Sequence, residues 1–296
     1  MKIEDMYNVN VVDNNIIYSV DMLRLKTYIT YAEFSNIEFM LKGAYKDAID
    51  KFWMSDRVMC FKYNYTIEVG EGKSIYIAFH HNQEKIRFDK PMDKFNFTIE
   101  FNPNKLKNNS LLMYLLSVSG QWYIKSYDIA FDLKINILDL LTDMSGRQVE
   151  HVISHGYDNR TKYIGSGDGR IKVYNKKIES NLNILGDLTR IEMSRKMEDF
   201  EVRKIAYFKY DENFPIVYTN NYMFSFSDYK NKTMLAILYA VQNGFPLRDL
   251  SRDYRKKVKS MLEGSYRVKF NNKCVTQVIA QTIYYYFMKN DNVVWF

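Results

Sequence analysis

Between Thr161 and Arg195 the chain reads TKYIGSGDGRIKVYNKKIES, then a polar spacer, then LTRIEMSR. One tyrosine, Tyr174, stands among the cations Lys172, Lys176 and Lys177, and one isolated acid, Glu192, stands between Arg190 and Arg195. A phenol attacks poorly until its proton leaves and nearby cations stabilise the phenolate. Carboxylates in twos or threes hold Mg²⁺ or Mn²⁺, which polarises a phosphate and offsets the charge that builds in the transition state. Lysines and arginines such as Lys172, Lys176, Arg190 and Arg195 can clamp phosphate oxygens. The chemistry open to such a set is phosphodiester cleavage by tyrosine, which stores the bond energy in a phosphotyrosyl link.

These residues need strands to bring them together. In a pleated strand alternate residues share a face. Asp128, Ala130 and Asp132 then line one face of Tyr127–Asp132, with Ile129 and Phe131 on the other. Arg170, Lys172 and Tyr174 oppose Ile171 and Val173, while Arg190, Glu192 and Ser194 oppose Ile191 and Met193. If the three segments are neighbours, their polar faces form a shallow tray of Asp, Glu, Tyr, Lys and Arg. The plainer alternative is a packed strand tyrosine beside solvated acids.

Further strand-like runs are Val11–Val20, Met22–Ile29, Val58–Val69, Ser74–His80 and Phe95–Phe101, with Gly70–Gly72 as a hairpin turn. Apolar spacing predicts helices over Tyr31–Asp50 and Lys105–Ser119. Strands are expected at Gln121–Leu133, Lys162–Ile164, Arg170–Tyr174 and Thr189–Arg195, with extended chain around Val202–Tyr210 and Ile216–Phe226. From about Lys230 the pattern turns helical, with Gly244 and Gly264 as C-terminal caps and Pro246 opening the next helix. The expectation is an α+β fold with antiparallel sheet, divided as 1–118 (α+β), 119–229 (chemistry-bearing) and 230–296 (helical). No repeat of fixed period is visible.

The chain has 296 residues, 47% of them hydrophobic, enough for a globular core. No apolar run nears the roughly 20 residues of a membrane helix, and the N-terminus carries no signal-peptide core. The expectation is a cytoplasmic protein without membrane contact. Two cysteines, Cys60 and Cys274, build neither a disulfide framework nor a cysteine zinc site. A net charge of +7 and 25 tyrosines among many lysines suit a polyanion whose bases stack on rings. AT-rich coding produces a similar composition.

The segments YDIAFD, TKYIGSGDGRIKVYNKK and RIEMSR, in that order, resemble the replication initiation factor family. That family comprises rolling-circle plasmid initiators of Gram-positive bacteria and related relaxases of conjugative elements. VDMLRLKTYI and IEFNPNK resemble it more loosely. The resemblance implies a nickase-type core in which Tyr174 is the nucleophile; the residue types add Lys172 and Arg190 as the cations beside it. It implies Asp128 and Glu192, with Asp132, as ligands of Mg²⁺ or Mn²⁺, and action as a homodimer. The expected reaction is sequence-specific nicking of origin DNA, double-stranded or extruded as single strand, through a 5′-phosphotyrosyl intermediate. A host polymerase and helicase would then take over. The alternatives are a conjugative relaxase, a non-catalytic DNA-binding regulator that keeps the fold, and an RNA-binding protein.

Other candidates carry blander readings. The His-hydrophobe-His metal signature of wider nickases is absent, since His80 and His81 are adjacent. His151 and His155 are four apart but read as a loop or helix end. Gly165–Gly169 reads as a hairpin turn rather than an ATP loop, because it lacks the Walker spacing and ending. Tyr157 and Tyr163 are the rival nucleophiles. Arg252, Arg255, Lys256 and Lys259 form a basic helical segment that, with Lys176, Lys177 and Arg195, is expected to touch DNA.

Overall fold

Runs of β-branched and aromatic residues alternating with polar ones dominate the first 200 residues, and they fold as strands. The structure is a computed structural model describing residues 6–54, 63–81, 94–143, 149–154, 160–165, 168–211, 213–214, 216–219, 232–242, 245, 247–263 and 267–288. Cys60, His155, Tyr157, Gly244, Pro246 and Gly264 lie outside them. The first part contains β1 (Val11–Asp13), β2 (Ile16–Thr30), α1 (Tyr31–Ala44), β3 (Ile49–Met54), β4 (Tyr63–Gly70), β5 (Lys73–His81), β6 (Lys94–Phe101) and α2 (Ser110–Ser117). The middle contains β7 (Tyr123–Leu133), β8 (Leu140–Asp143), β9 (Val149–Ser154), β10 (Arg160–Ile164), β11 (Ile171–Asn175), α3 (Lys176–Glu179) and β12 (Thr189–Glu201). Then come β13 (Ile216–Thr219), α4 (Lys232–Gln242), α5 (Arg252–Glu263) and α6 (Asn272–Phe287). The fold is α+β.

Among the described residues eleven strands form one antiparallel sheet, ordered β3-β4-β5-β6-β2-β7-β12-β11-β10-β9, with β1 paired to β2. Both halves follow the same path. From the centre, β2 leads through α1 to the outermost strand β3, and β4, β5 and β6 return until β6 pairs with β2. Likewise β7 leads out to β9, and β10, β11 and β12 return until β12 pairs with β7. Because β2 and β7 meet antiparallel in the middle, an approximate two-fold relates the halves. The repeat lies in strand order, which the sequence alone does not reveal. The sheet therefore runs unbroken past residues 118 and 119.

One sheet face is apolar and carries the main core. Leu23, Leu25, Ile77, Phe97, Ile99, Phe131 and Ile191 are all at most 1% exposed. Each such burial stabilises by about 1.5–3 kcal/mol. Helix α1 starts at a capping box in which Thr30 and Glu33 satisfy each other's backbone N–H groups. It then sets Phe34 stacked on Phe95 at 4.5 Å and edge-on to Phe79 at 5.0 Å. Helix α6 brings Tyr286 edge-on to Phe101 at 5.0 Å. A separate small cluster joins Met234, Leu238 and Val241 of α4 to Leu247, Val258 and Tyr218.

Several elements differ from expectation. The run Val11–Val20 is broken by a hairpin at Asn14 and Asn15, whose φ of 49° and 63° are left-handed values that asparagine tolerates. The helix expected over Tyr31–Asp50 ends at Ala44, and β3 follows a short 3₁₀ turn. Helix α2 begins only at Ser110, where the Asn109 side chain accepts from Leu112 N at 2.9 Å. Residues Val202–Tyr207 form a 3₁₀ turn instead of extended chain. The stretch at His151 is strand β9, paired with β10, as its β-branched Val149, Val152 and Ile153 favour. No described helix is long and apolar enough to cross a membrane.

Candidate active site

Strand β12 lies between β7 and β11, so its alternate residues meet partners on both sides. Arg190 stands opposite Asp132 and Tyr174, Glu192 opposite Ala130 and Lys172, and Ser194 opposite Asp128. The register thus gathers Tyr174, Lys172, Asp128, Asp132, Arg190 and Glu192 on one face of three adjacent strands. Tyr163 pairs with Lys172 one strand further out. Arg195 falls on the opposite face, where it is 7% exposed and donates to the Asn213 carbonyl at 3.2 Å.

The Tyr174 hydroxyl donates to Glu192 Oε1. Lys172 Nζ lies 4.0 Å from the Tyr174 ring centroid and 3.6 Å from Glu192 Oε2. Lys176 Nζ lies 5.7 Å from the same ring. Asn175 directs that second cation: its side chain accepts from Ile178 N at 3.1 Å and starts α3 immediately after β11. Burial pushes the Tyr174 phenol well above its ordinary range, and Glu192 and Asp21 add to this while Arg190 opposes it. The phenol is therefore neutral and poised toward a proton acceptor. Glu192 is that acceptor, and burial and Asp21 push its carboxyl up to about 7.

Arg190 is the hub below this pair. It is 1% exposed, and its Nε and Nη2 donate to the two oxygens of Asp132 at 2.7 Å each. Its Nη1 donates to Asp21 at 2.6 Å, and its Nη2 to the Tyr7 hydroxyl at 3.2 Å, which in turn donates to Asp132. Asp132, fully buried, spends both oxygens on this network. Asp21 is the acid beside Glu192, and both it and Tyr7 escaped sequence reading. Burial works against the Asp21 carboxylate, but Arg190, Lys176 and hydrogen bonds from Asn102 and Glu192 outweigh it and hold its pKa low.

A signal for Asp21 exists in the sequence. The β2 side chains of the main apolar core run Ile16, Tyr18, Val20 and then Leu23, Leu25, Ile29, changing phase between Val20 and Leu23. A phase change needs one extra residue, and the register with β7 shifts between Val20 and Met22. That bulge lets the central strand contribute an acid to the neighbouring half.

No group of three or more His, Cys, Asp or Glu side chains that could hold a metal ion occurs among the described residues. The donor set nonetheless suits a hard divalent cation shared with substrate. Asp21 and Glu192 are two hydrogen-bonded carboxylates, the first held low by Arg190 and the second raised to about 7 by burial and by Asp21. Mg²⁺ is commonly held by one or two carboxylates plus substrate phosphate. Asp128 lies near enough to feel the Asp21 charge, while burial raises its pKa and Ser194 lowers it.

Four curated sequences match, all named replication initiation protein and all from Staphylococcus aureus. One is 30% identical over 142 residues, and another is 28% identical over the same length. The matched stretch is similar to replication initiation proteins. The matched stretch covers 43% of this chain and 43% of the relative's length. No family model matches. The solved rolling circle replication initiator protein from Geobacillus stearothermophilus covers 83% of this chain and 97% of its own, at 12% identity and TM-score 0.34. That likeness is too loose to align residues.

Of the remaining expected DNA contacts, Lys177 donates to the Gly186 carbonyl at 2.9 Å and Lys176 to Glu179 at 2.8 Å. On α5, Val258 turns to the small cluster, Arg255 donates to the Leu250 carbonyl at 3.0 Å, and Arg252 and Lys256 are exposed. Lys259 is half-buried on the same helix.

Proposed function

We propose that this chain nicks and transfers DNA strands to initiate rolling-circle replication of a plasmid or mobile element. The supporting observation is one constellation: the Tyr174 hydroxyl on Glu192, with Asp21 behind and Lys172 over the ring. Tyr174 Oη attacks the scissile phosphorus while the bond from phosphorus to the 3′ oxygen breaks. The phenol proton passes to Glu192 Oε1, and the departing 3′ oxygen takes a proton from water. The products are a 5′-phosphotyrosyl enzyme and a free 3′-OH. Reversal by another 3′-OH reseals the strand.

Lys172 neutralises charge on the phosphate from above the ring. Arg190 acts as a positioning residue, because its donors are engaged by Asp132, Asp21 and Tyr7. Asp21 and Glu192, near Asp128, would hold Mg²⁺ or Mn²⁺ in place of the proton they share, and Asp132 would not. When bound, the ion supplies charge stabilisation to the phosphate. Exposed Arg252 and Lys256 of α5 would contact duplex origin DNA, with a homodimer, a host helicase and a host polymerase completing the reaction. Conjugative transfer uses the same nick.

The test is incubation of the supercoiled plasmid carrying the element's own origin with Mg²⁺ or Mn²⁺ and protein. Wild type is expected to give open circles and a DNA adduct on Tyr174, identified by mass spectrometry of the digested complex. Wild-type nicking by Tyr174→Phe would overturn the nucleophile assignment. Intact origin binding without nicking by either protein would favour the regulator.

A further inference from the structure

The polar face does not stop at the candidate active site. On β2 and β6, three successive rows of the same face pair Arg24 with Glu100, Lys26 with Thr98, and Tyr28 with Asn96. One atom in each row, Arg24 Nε, Thr98 Oγ1 and Asn96 Oδ1, is buried without a hydrogen-bond partner among the described residues. Thr98 is only 1% exposed. Buried polar atoms of native proteins are nearly always satisfied, so three on adjacent rows point to a partner from outside the chain. Their types are complementary to a mixed ligand: one cationic donor, one amide acceptor and one hydroxyl that does either.

Cations and a ring surround them. Lys26 donates to the exposed Asp199 at 2.9 Å, an acid a phosphate would replace, and lies 5.3 Å from the Tyr28 ring, which is 46% exposed. Lys125 sits in the second irregularity of the β2–β7 ladder, between Ser126 and Ile124. Burial, then Arg24, Lys26 and Lys196, push its pKa down, as expected where cations gather, while Asp199 opposes them. Rows on one face repeat every two residues, about 6.8 Å. Strand β2 lies three strand spacings, about 14 Å, from β11 and Tyr174.

We propose that this face is a subsite for single-stranded DNA, holding the nucleotides that flank the phosphate presented to Tyr174. Lys26 and Lys125 meet phosphates, Tyr28 stacks a base, and Arg24, Thr98 and Asn96 take the polar atoms between. A repeating row of cation, hydroxyl or amide and open ring matches an extended strand of nucleotides, and a smooth acidic peptide would leave the ring and the amide unused. The proposal rests on the nicking reading for its place in the reaction but not for its chemistry.

The test is fluorescence anisotropy of the full chain with a fluorescein-labelled dT20 oligonucleotide over a salt series, beside thermal melts. Lys26→Ala/Lys125→Ala is expected to weaken binding about tenfold and to flatten the salt dependence by about 0.7 per lost phosphate contact. Thr98→Val replaces an unsatisfied hydroxyl by a methyl of the same shape, so it is expected to hold or raise the Tm while weakening binding about threefold. A merely structural threonine would not separate those readouts. Tyr174→Phe is expected to bind dT20 as wild type does. Absence of dT20 binding by wild type, or unchanged binding by both altered proteins, overturns the subsite. Lost binding by the variants, with no nicking even by wild type, keeps the subsite and sinks the nicking reading. Nicking with unchanged binding does the reverse.

Discussion

The two halves of the sheet carry the same row written twice. Outward from the centre, β7, β12, β11 and β10 present Asp132, Arg190, Tyr174 and Thr161 in register. Outward on the other side, β2, β6, β5 and β4 present Arg24, Glu100, Tyr76 and Thr66. Each row is a charge, its countercharge, a tyrosine and a threonine, with the two charges exchanged. The difference lies in what surrounds the tyrosine. Tyr174 donates to a buried carboxylate backed by a second one, whereas Tyr76 donates to the Asn64 amide at 2.5 Å. An amide cannot take a proton, so the first arrangement has a base and the second has none. One framework can thus host proton transfer on one side and holding on the other.

The largest test of that contrast is Tyr174→Phe against Tyr76→Phe. The first is expected to lower plasmid nicking on the order of 10⁴-fold or more, since it deletes the proposed nucleophile. Tyr76→Phe is expected to leave nicking within about threefold, because it removes only a hydrogen bond of roughly 1 kcal/mol. Equal losses in a gel-based nicking assay would erase the distinction between the halves.

Next come the countercharged pairs, read by urea unfolding. Arg190→Met leaves the buried Asp132 without its partner and is expected to cost about 3–5 kcal/mol. Arg24 pairs with Glu100 where the side chains are 40% and 22% exposed. Arg24→Met is expected to cost under about 1 kcal/mol, as half-exposed pairs do. Reversed ranking would mean that the buried hub is not what fixes the second half.

The pH dependence sharpens the comparison further. Glu192 has its pKa raised from 4.5 to about 7, so the folded chain holds a proton that the unfolded chain has lost across that window. Its contribution is present below pH 4.5 and is lost as pH rises to about 7. Glu192→Gln should abolish that fall, on the order of 2 kcal/mol in urea titrations at pH 4.5 and pH 7. The nicking rate of wild type should rise over the same window as Glu192 becomes able to accept the phenol proton. Tyr76→Phe should leave both slopes as they are.

Among the variants on the Tyr174 side the smallest expected effect belongs to Lys172. Lys172→Ala removes the cation over the Tyr174 ring and is expected to slow nicking about tenfold with little change in melting temperature. An unaltered rate would assign phosphate neutralisation to another cation of the same face.

Much of the site was legible because strand periodicity is a local property. Alternation in YDIAFD, RIKVY and RIEMS fixes which side chains share a face, and all six central residues do share one. The same rule should have set Arg195 aside, since it is three residues from Glu192 and so on the other face. Asp21 was hidden because a bulge moves one acid out of phase, and its company depends on β2 pairing with β7 over a hundred residues away. Tyr7 was hidden for a similar reason: an N-terminal polar stretch has no period to place it over Arg190. The early end of α1 was missed because pairing of β3 with β4 from Ile49 outweighs the helical period there.

By itself, then, the sequence determined the two-sided character of each strand, the helical C-terminal stretch and the order of the Asp, Tyr and Glu segments. Those follow from side-chain period and capping, which act within a few residues. Only the tertiary structure decided that Tyr174 faces a paired carboxylate and that Asp132 is consumed by Arg190. It alone showed that a second, base-free copy of the same row occupies the other half. Cross-strand register between distant segments sets all three, and register is a property of the assembled sheet.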